Sequence, residues 1–104
     1  MSAIADTAES LINKEWEDCS SFVKYCYAVH NINIPRGSAE IFNKGIKSNG
    51  KRGDIVCWAG HVGICDGNGK VIHAYHKNSI VCKDSINDVS AWDKRSVKGY
   101  VTYN

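Results

Sequence analysis

At Gly53 the hydrophobic pattern of this chain changes period. Upstream, apolar residues recur at helical spacing. Ile4, Ala8, Leu11 and Ile12 share one face over residues 2–13, with Ser2 placed to cap them. Phe22, Val23, Cys26 and Val29 or His30 share another over 19–30, with Asp18 as the cap. That helix ends before Pro35, and a short helical turn is expected over 38–44. Downstream the period is two. Asp54–Trp58 reads as a strand, Ala59-Gly60 as a turn and His61–Cys65 as the next strand. Asp66-Gly67-Asn68-Gly69 is the strongest turn signal, followed by strands over Lys70–His76, Ser79–Lys83 and Val97–Thr102. Helices first and strands afterwards predict an α+β fold, with N-terminal helices packed on a central antiparallel sheet of about five strands. With no repeat or linker in 104 residues, a single domain over 1–104 is expected.

Charge excludes several functions. Thirteen Lys and Arg against eleven Asp and Glu leave +2, spread along the chain, with no basic run to track a nucleic acid. No stretch approaches the ~18 apolar residues of a membrane span. The N-terminal sequence lacks the positive and apolar regions of an ordinary signal peptide.

Five cysteines are many for this length: Cys19, Cys26, Cys57, Cys65 and Cys82. None lie in C-x-x-C, so no metal-ligand set is expected, and an odd count beside periodic apolar segments argues against a disulfide scaffold. Cys19 stands apart because it starts a helix. Unsatisfied first-turn amides and the helix dipole favour a thiolate there, while the other four read as small core residues.

A nucleophilic thiol needs a base within hydrogen-bond reach. His30 lies about 16 Å along the helix axis from Cys19 and fails on distance, leaving a helix-end or surface role. His61 opens a strand directly after Gly60. His73 and His76, three apart in one expected strand, point to opposite faces, so at most one joins His61. A three-residue turn, Gly67-Asn68-Gly69, places His73 diagonally beside His61. A two-residue turn, Asn68-Gly69, pairs His61 with His76 instead. The residues alone leave both open.

Asp18-Cys19-Ser20-Ser21-Phe22-Val23, Gly53-Asp54-Ile55-Val56, Gly60-His61-Val62-Gly63-Ile64 and Val71-Ile72-His73-Ala74 together resemble the NlpC/P60 cysteine peptidases in order and spacing, from about residue 8 to the end. Ile34-Pro35-Arg36-Gly37-Ser38 resembles the family segment between nucleophile helix and sheet. The resemblance implies a papain-like fold and cleavage of cell-wall stem peptides, between D-γ-glutamyl and a diamino acid such as meso-diaminopimelate or lysine. It implies a triad of Cys19 as nucleophile, His61 as base and His73 orienting the imidazole, which selects the three-residue turn. Asp18 and Ser20 match positions that read the L-alanyl end of the substrate, though both also suit plain helix capping. Ser38 is a weaker candidate there, and Arg36 is a candidate for a substrate carboxylate as well as an ordinary surface residue.

Two departures stand out. Ser21 occupies the place of the family's usual glycine, and no tyrosine precedes Cys19 to assist an oxyanion; Trp16 would offer only an indole N–H. No cofactor or metal is implied. The expected partner is the muropeptide, met by a monomer outside the producing cell or on engulfed or competitor walls, with a cytoplasmic site the alternative. Competing readings are a thiol acyltransferase, deamidase or protein-directed protease on the same fold, or a muropeptide-binding module.

Overall fold

The computed structural model describes residues 2–104. Helix α1 (Ala3–Ser10) is capped by Ser2, whose hydroxyl accepts from the Ala5 N–H at 3.1 Å. Helix α2 (Cys19–Ala28) is capped by Asp18, which accepts from the Ser21 N–H at 2.9 Å while Ser21 Oγ accepts from the Asp18 N–H at 3.1 Å. This reciprocal pair fixes where α2 begins, and so where Cys19 sits. Helix α3 (Ser38–Lys44) forms as expected.

Six strands follow: β1 (Ile46–Ser48), β2 (Ile55–Trp58), β3 (His61–Cys65), β4 (Lys70–Ala74), β5 (Val81–Ser85) and β6 (Gly99–Thr102). They form one antiparallel sheet in the order β1-β6-β2-β3-β4-β5. Helices α1 and α2 cover one face, where Ala5, Ala8, Phe22, Val23, Cys26 and Tyr27 meet Ile55, Cys57, Val62, Ile64 and Ile72. Each large apolar side chain buried there contributes roughly 1.5–3 kcal/mol. A fourth helix, α4 (Ile86–Asp93), covers the other face through Ile86 and Val89 against Val56, Trp58, Cys65 and Val71.

The structure adds α4 and the edge strand β1 to the elements expected from sequence. It also shortens β4. The strand leaves the sheet after Ala74, and His76 begins a 3₁₀ turn over Lys77–Ser79. The chain returns to pair Ala74 with Val81. The β3–β4 register, Ile64 opposite Ile72 and Cys65 opposite Val71, continues to set Gly63 opposite His73. That is the register of the three-residue turn, closed by Asp66, whose carboxylate accepts from the N–H groups of Asn68 and Lys70.

Candidate active site

Cys19 occupies the first turn of α2, half-buried, where the helix meets β3. The N–H groups of Val62, Ser20 and Cys19 itself face its sulfur. Burial nevertheless pushes the thiol above its ordinary range, with the Asp18 carboxylate adding to the rise. The thiolate preference expected from the helix start alone is therefore overridden by desolvation. Cys26, Cys57 and Cys65 are core residues whose thiols burial raises to about 12. Cys82 departs from the expectation of a core position. It is half-buried in β5, and its thiol donates to Asp84 Oδ2 at 3.1 Å.

His61 and His73 come together as the register requires, His61 Nε2 lying 2.7 Å from His73 Nδ1. His73 Nε2 lies 2.9 Å from Asp84 Oδ2. An ionised carboxylate only accepts, so the His73 proton is on Nε2 and its Nδ1 is bare. His61 must then donate from Nε2, which leaves His61 Nδ1 as the nitrogen free to take a proton. Both rings are neutral: burial lowers His61 to about 3, helped by His73 and Arg95, and burial also lowers His73 against the pull of Asp84. Asp84 holds its charge, because hydrogen bonds from His73, Cys82 and His76 outweigh the burial that would raise it. Tyr75 stacks on His73 at 4.8 Å and meets the His61 ring edge-on at 5.2 Å, and Trp58 tilts against His61 at 5.5 Å. These rings restrict both imidazoles to one orientation.

His76 differs from its sequence expectation. Outside the strand it turns back, and its Nε2 lies 3.1 Å from the same Asp84 oxygen. The two histidines thus converge on one carboxylate instead of facing opposite ways. Asp84 is not among the positions that the sequence patterns single out. The signal that finds it is the β4–β5 register: Cys82 stands opposite His73, so Asp84, two residues on, is its diagonal neighbour on the same face. Among the described residues no hydrogen bond joins Cys19 to His61; the Val62 N–H, one residue beyond His61, is among the groups that ease the Cys19 thiol downward.

Of the other predicted positions, Asp18, Ser20 and Arg36 cluster at the start of α2 beside Cys19. Arg36 reaches both Asp18 oxygens, at 3.1 and 3.0 Å, and also Ser20 Oγ and Glu17. Against burial, the Ser21 N–H and Arg36 hold the Asp18 carboxyl below the usual range. Ser38 opens α3 and has no hydrogen bond to this cluster among the described residues. Ser21 turns its hydroxyl back to the Asp18 backbone, so the place of the family's glycine is occupied by part of the cap. Trp16 packs on Phe22 and Tyr25. His30 bonds Thr7 Oγ1 at 2.8 Å, tying α2 to α1 far from this site. A hollow of about 370 Å³ beside His30, Arg52 and Thr102 holds none of the site residues.

A cysteine opening a helix that packs on the strand of His61, with helices on an antiparallel sheet, defines an α+β domain of the papain-like class. The NlpC/P60 family model matches residues 12–100, and the chain belongs to that family. It is 38% identical over 65 residues to the "Probable endopeptidase p60" of Listeria innocua, a match covering 55% of this chain and 14% of that protein. Its fold is similar to NlpC2 of Trichomonas vaginalis (TM-score 0.83, 21% identity), with 96% of this chain and 45% of that one covered. It is also similar to the NlpC/P60 domain of the peptidoglycan hydrolase SagA (TM-score 0.76, 27% identity), with 96% of both chains covered. The chain thus spans a small part of the Listeria protein and under half of the Trichomonas one.

Proposed function

We propose that this chain is a cysteine endopeptidase hydrolysing peptidoglycan stem peptides at the D-γ-glutamyl–diamino acid bond, the diamino acid being meso-diaminopimelate or lysine. The observation that carries the reading is the chain of hydrogen bonds from Asp84 through His73 to His61, which leaves Nδ1 of His61 bare on the strand against which the Cys19 helix packs. Family membership and the hydrolase SagA among the structural neighbours favour the wall as substrate. Its place of action would be a wall outside the producing cell.

The resting pair is neutral thiol and neutral imidazole, so proton transfer accompanies attack. His61 takes the Cys19 proton as sulfur adds to the γ-glutamyl carbonyl. The Cys19 N–H, at the start of α2, would stabilise the oxyanion. His61 then gives its proton to the leaving amine, and a thioester remains. Water, deprotonated by His61, hydrolyses it and restores the thiol. Through each cycle His73 holds the imidazole, while the Asp84 charge supports the imidazolium. Asp18 and Ser20 would receive the L-alanyl end of the peptide.

Defined stem peptides test this. The chain should release a diamino-acid fragment, and Cys19→Ala and His61→Ala should each abolish release. Turnover surviving either change would overturn it, as would a preference for protein amides or lipid esters in a parallel panel. Tight muropeptide binding without turnover would support the binding-module reading, which the missing upstream tyrosine favours.

A further inference from the structure

We propose that His73, His76, Cys82 and Asp84 form a site for a zinc-class transition-metal ion, whose occupation switches His61 to the tautomer that cannot accept the Cys19 proton. The donor set carries the first half. Ligand atoms of His73, Cys82 and Asp84 all lie within 4.8 Å of one another, and His76 Nε2 is 3.1 Å from Asp84 Oδ2. Two imidazoles, one thiol and one carboxylate are four donors of the N/S/O kind that zinc, cobalt and copper prefer over magnesium or calcium. Tetrahedral ligands about 2.0–2.3 Å from zinc stand roughly 3.4 Å apart, so the Asp84 contacts of 2.9–3.1 Å need open only by a few tenths of an ångström.

The positions also fit a site that fills from solvent. The His73 side chain is fully buried, the Asp84 side chain is 18% exposed and that of His76 is 49% exposed, which gives an ion a path from outside to inside. Only the His73 bond to Asp84 serves the histidine relay. Cys82 and His76 converge on the same oxygen and help hold its charge, but neither bonds to His61.

The second half follows from proton bookkeeping. In the metal-free site His73 Nε2 carries a proton. An ion bound there displaces it, and a neutral His73 must then carry its proton on Nδ1. That proton comes from His61 Nε2, across the 2.7 Å hydrogen bond. Neutral His61 must in turn hold a proton on Nδ1, taken from solvent. The two imidazoles gain and lose equally, and Cys82 releases its thiol proton as it ligates. The nitrogen meant to accept from Cys19 is then already occupied. Inhibition of turnover is the consequence that rests on the function proposed above; the site and the tautomer change do not.

The test uses Cys19→Ala protein, which removes the other accessible thiol. Titration with Co²⁺ should produce a thiolate-to-cobalt charge-transfer band saturating at one equivalent. Adding Cys82→Ser should eliminate the band, and adding His76→Ala, at an exposed position, should weaken binding at least tenfold. Absence of the band in Cys19→Ala, or its survival after Cys82→Ser, overturns the site. One equivalent of Zn²⁺ added to ¹⁵N-labelled Cys19→Ala should exchange the protonated and bare nitrogens of His61. Unchanged His61 shifts under saturating Zn²⁺ overturn the tautomer switch. Both readouts are independent of catalysis.

Discussion

His73 donates to Asp84 and accepts from His61, so a carboxylate on β5 decides which nitrogen of a histidine on β3 is bare. The proton direction runs outward through three strands of the sheet.

Asp84→Asn should therefore lower kcat by about 10²-fold with little change in KM, because it acts through the imidazoles. An amide can still accept from His73 but lacks the charge that supports an imidazolium. Steady-state kinetics on a stem peptide separate the two constants, and an effect confined to KM would contradict the assignment.

Burial lowers His61 from 6.5 to about 3, and His73 in the same direction. The unfolded chain then binds more protons across that window, so stability rises with pH there and is lost as pH falls from about 6.5 toward 3. Urea midpoints at pH 7, 5 and 4 should decline in that order. His61→Gln should flatten the slope.

The Cys19 thiol lies above its ordinary value of 9.0 because it is desolvated. Alkylation of Cys19 in the free protein should keep accelerating beyond pH 9, where an exposed thiol levels off. A plateau below pH 8 would reveal a thiolate–imidazolium pair instead.

Asp18 caps α2 and pairs with Arg36. Asp18→Ala should cost about 1 kcal/mol of stability. Asp18→Asn should keep most of that while raising KM for peptides with a free L-alanyl amine. Equal KM for wild type and Asp18→Asn would reduce Asp18 to a cap.

Gly63 lies opposite His73, and a Cβ there would stand 2.3 Å from Val71 Cγ2 and 2.9 Å from His73 Cβ. Gly63→Ala should destabilise the fold by ~1–3 kcal/mol through overpacking and displace His73. Thermal melts and the His61 tautomer measured by NMR would register both.

The sequence was most legible where one pattern dominated locally. Strand β3 and the Asp18 cap match expectation, because alternation and capping act within a few residues. Helix α4 is faint in the sequence because only Ile86 and Val89 are buried in it and Trp92 is half-exposed; the Ser85 cap, accepting from the Asp88 N–H, is its clearest local signal. Strand β1 pairs only at the sheet edge and buries little. The sequence pattern puts His76 in the strand because alternation runs on through Tyr75, although the sheet lets go at Ala74. Asp84 was hidden for a different reason: its meaning depends on which residue of β4 it faces, a non-local fact. The choice between turn lengths was likewise even on local chemistry and needed the family resemblance to tip it.

The exposed tip Gly67-Asn68-Gly69 has an unusual status. Loop tips are ordinarily where chains tolerate inserted residues. Here residue count sets parity: one residue more, unless absorbed as a bulge, turns His73 to the opposite face and swaps Ile72 or Ala74 into its place. Gly67 and Gly69 hold φ of 90° and 83°, and a Cβ on Gly67 would stand 2.9 Å from Arg52 Cβ, so glycine is favoured at both positions and the number of residues is held as well. An exposed turn thus fixes which face of the sheet His73 occupies.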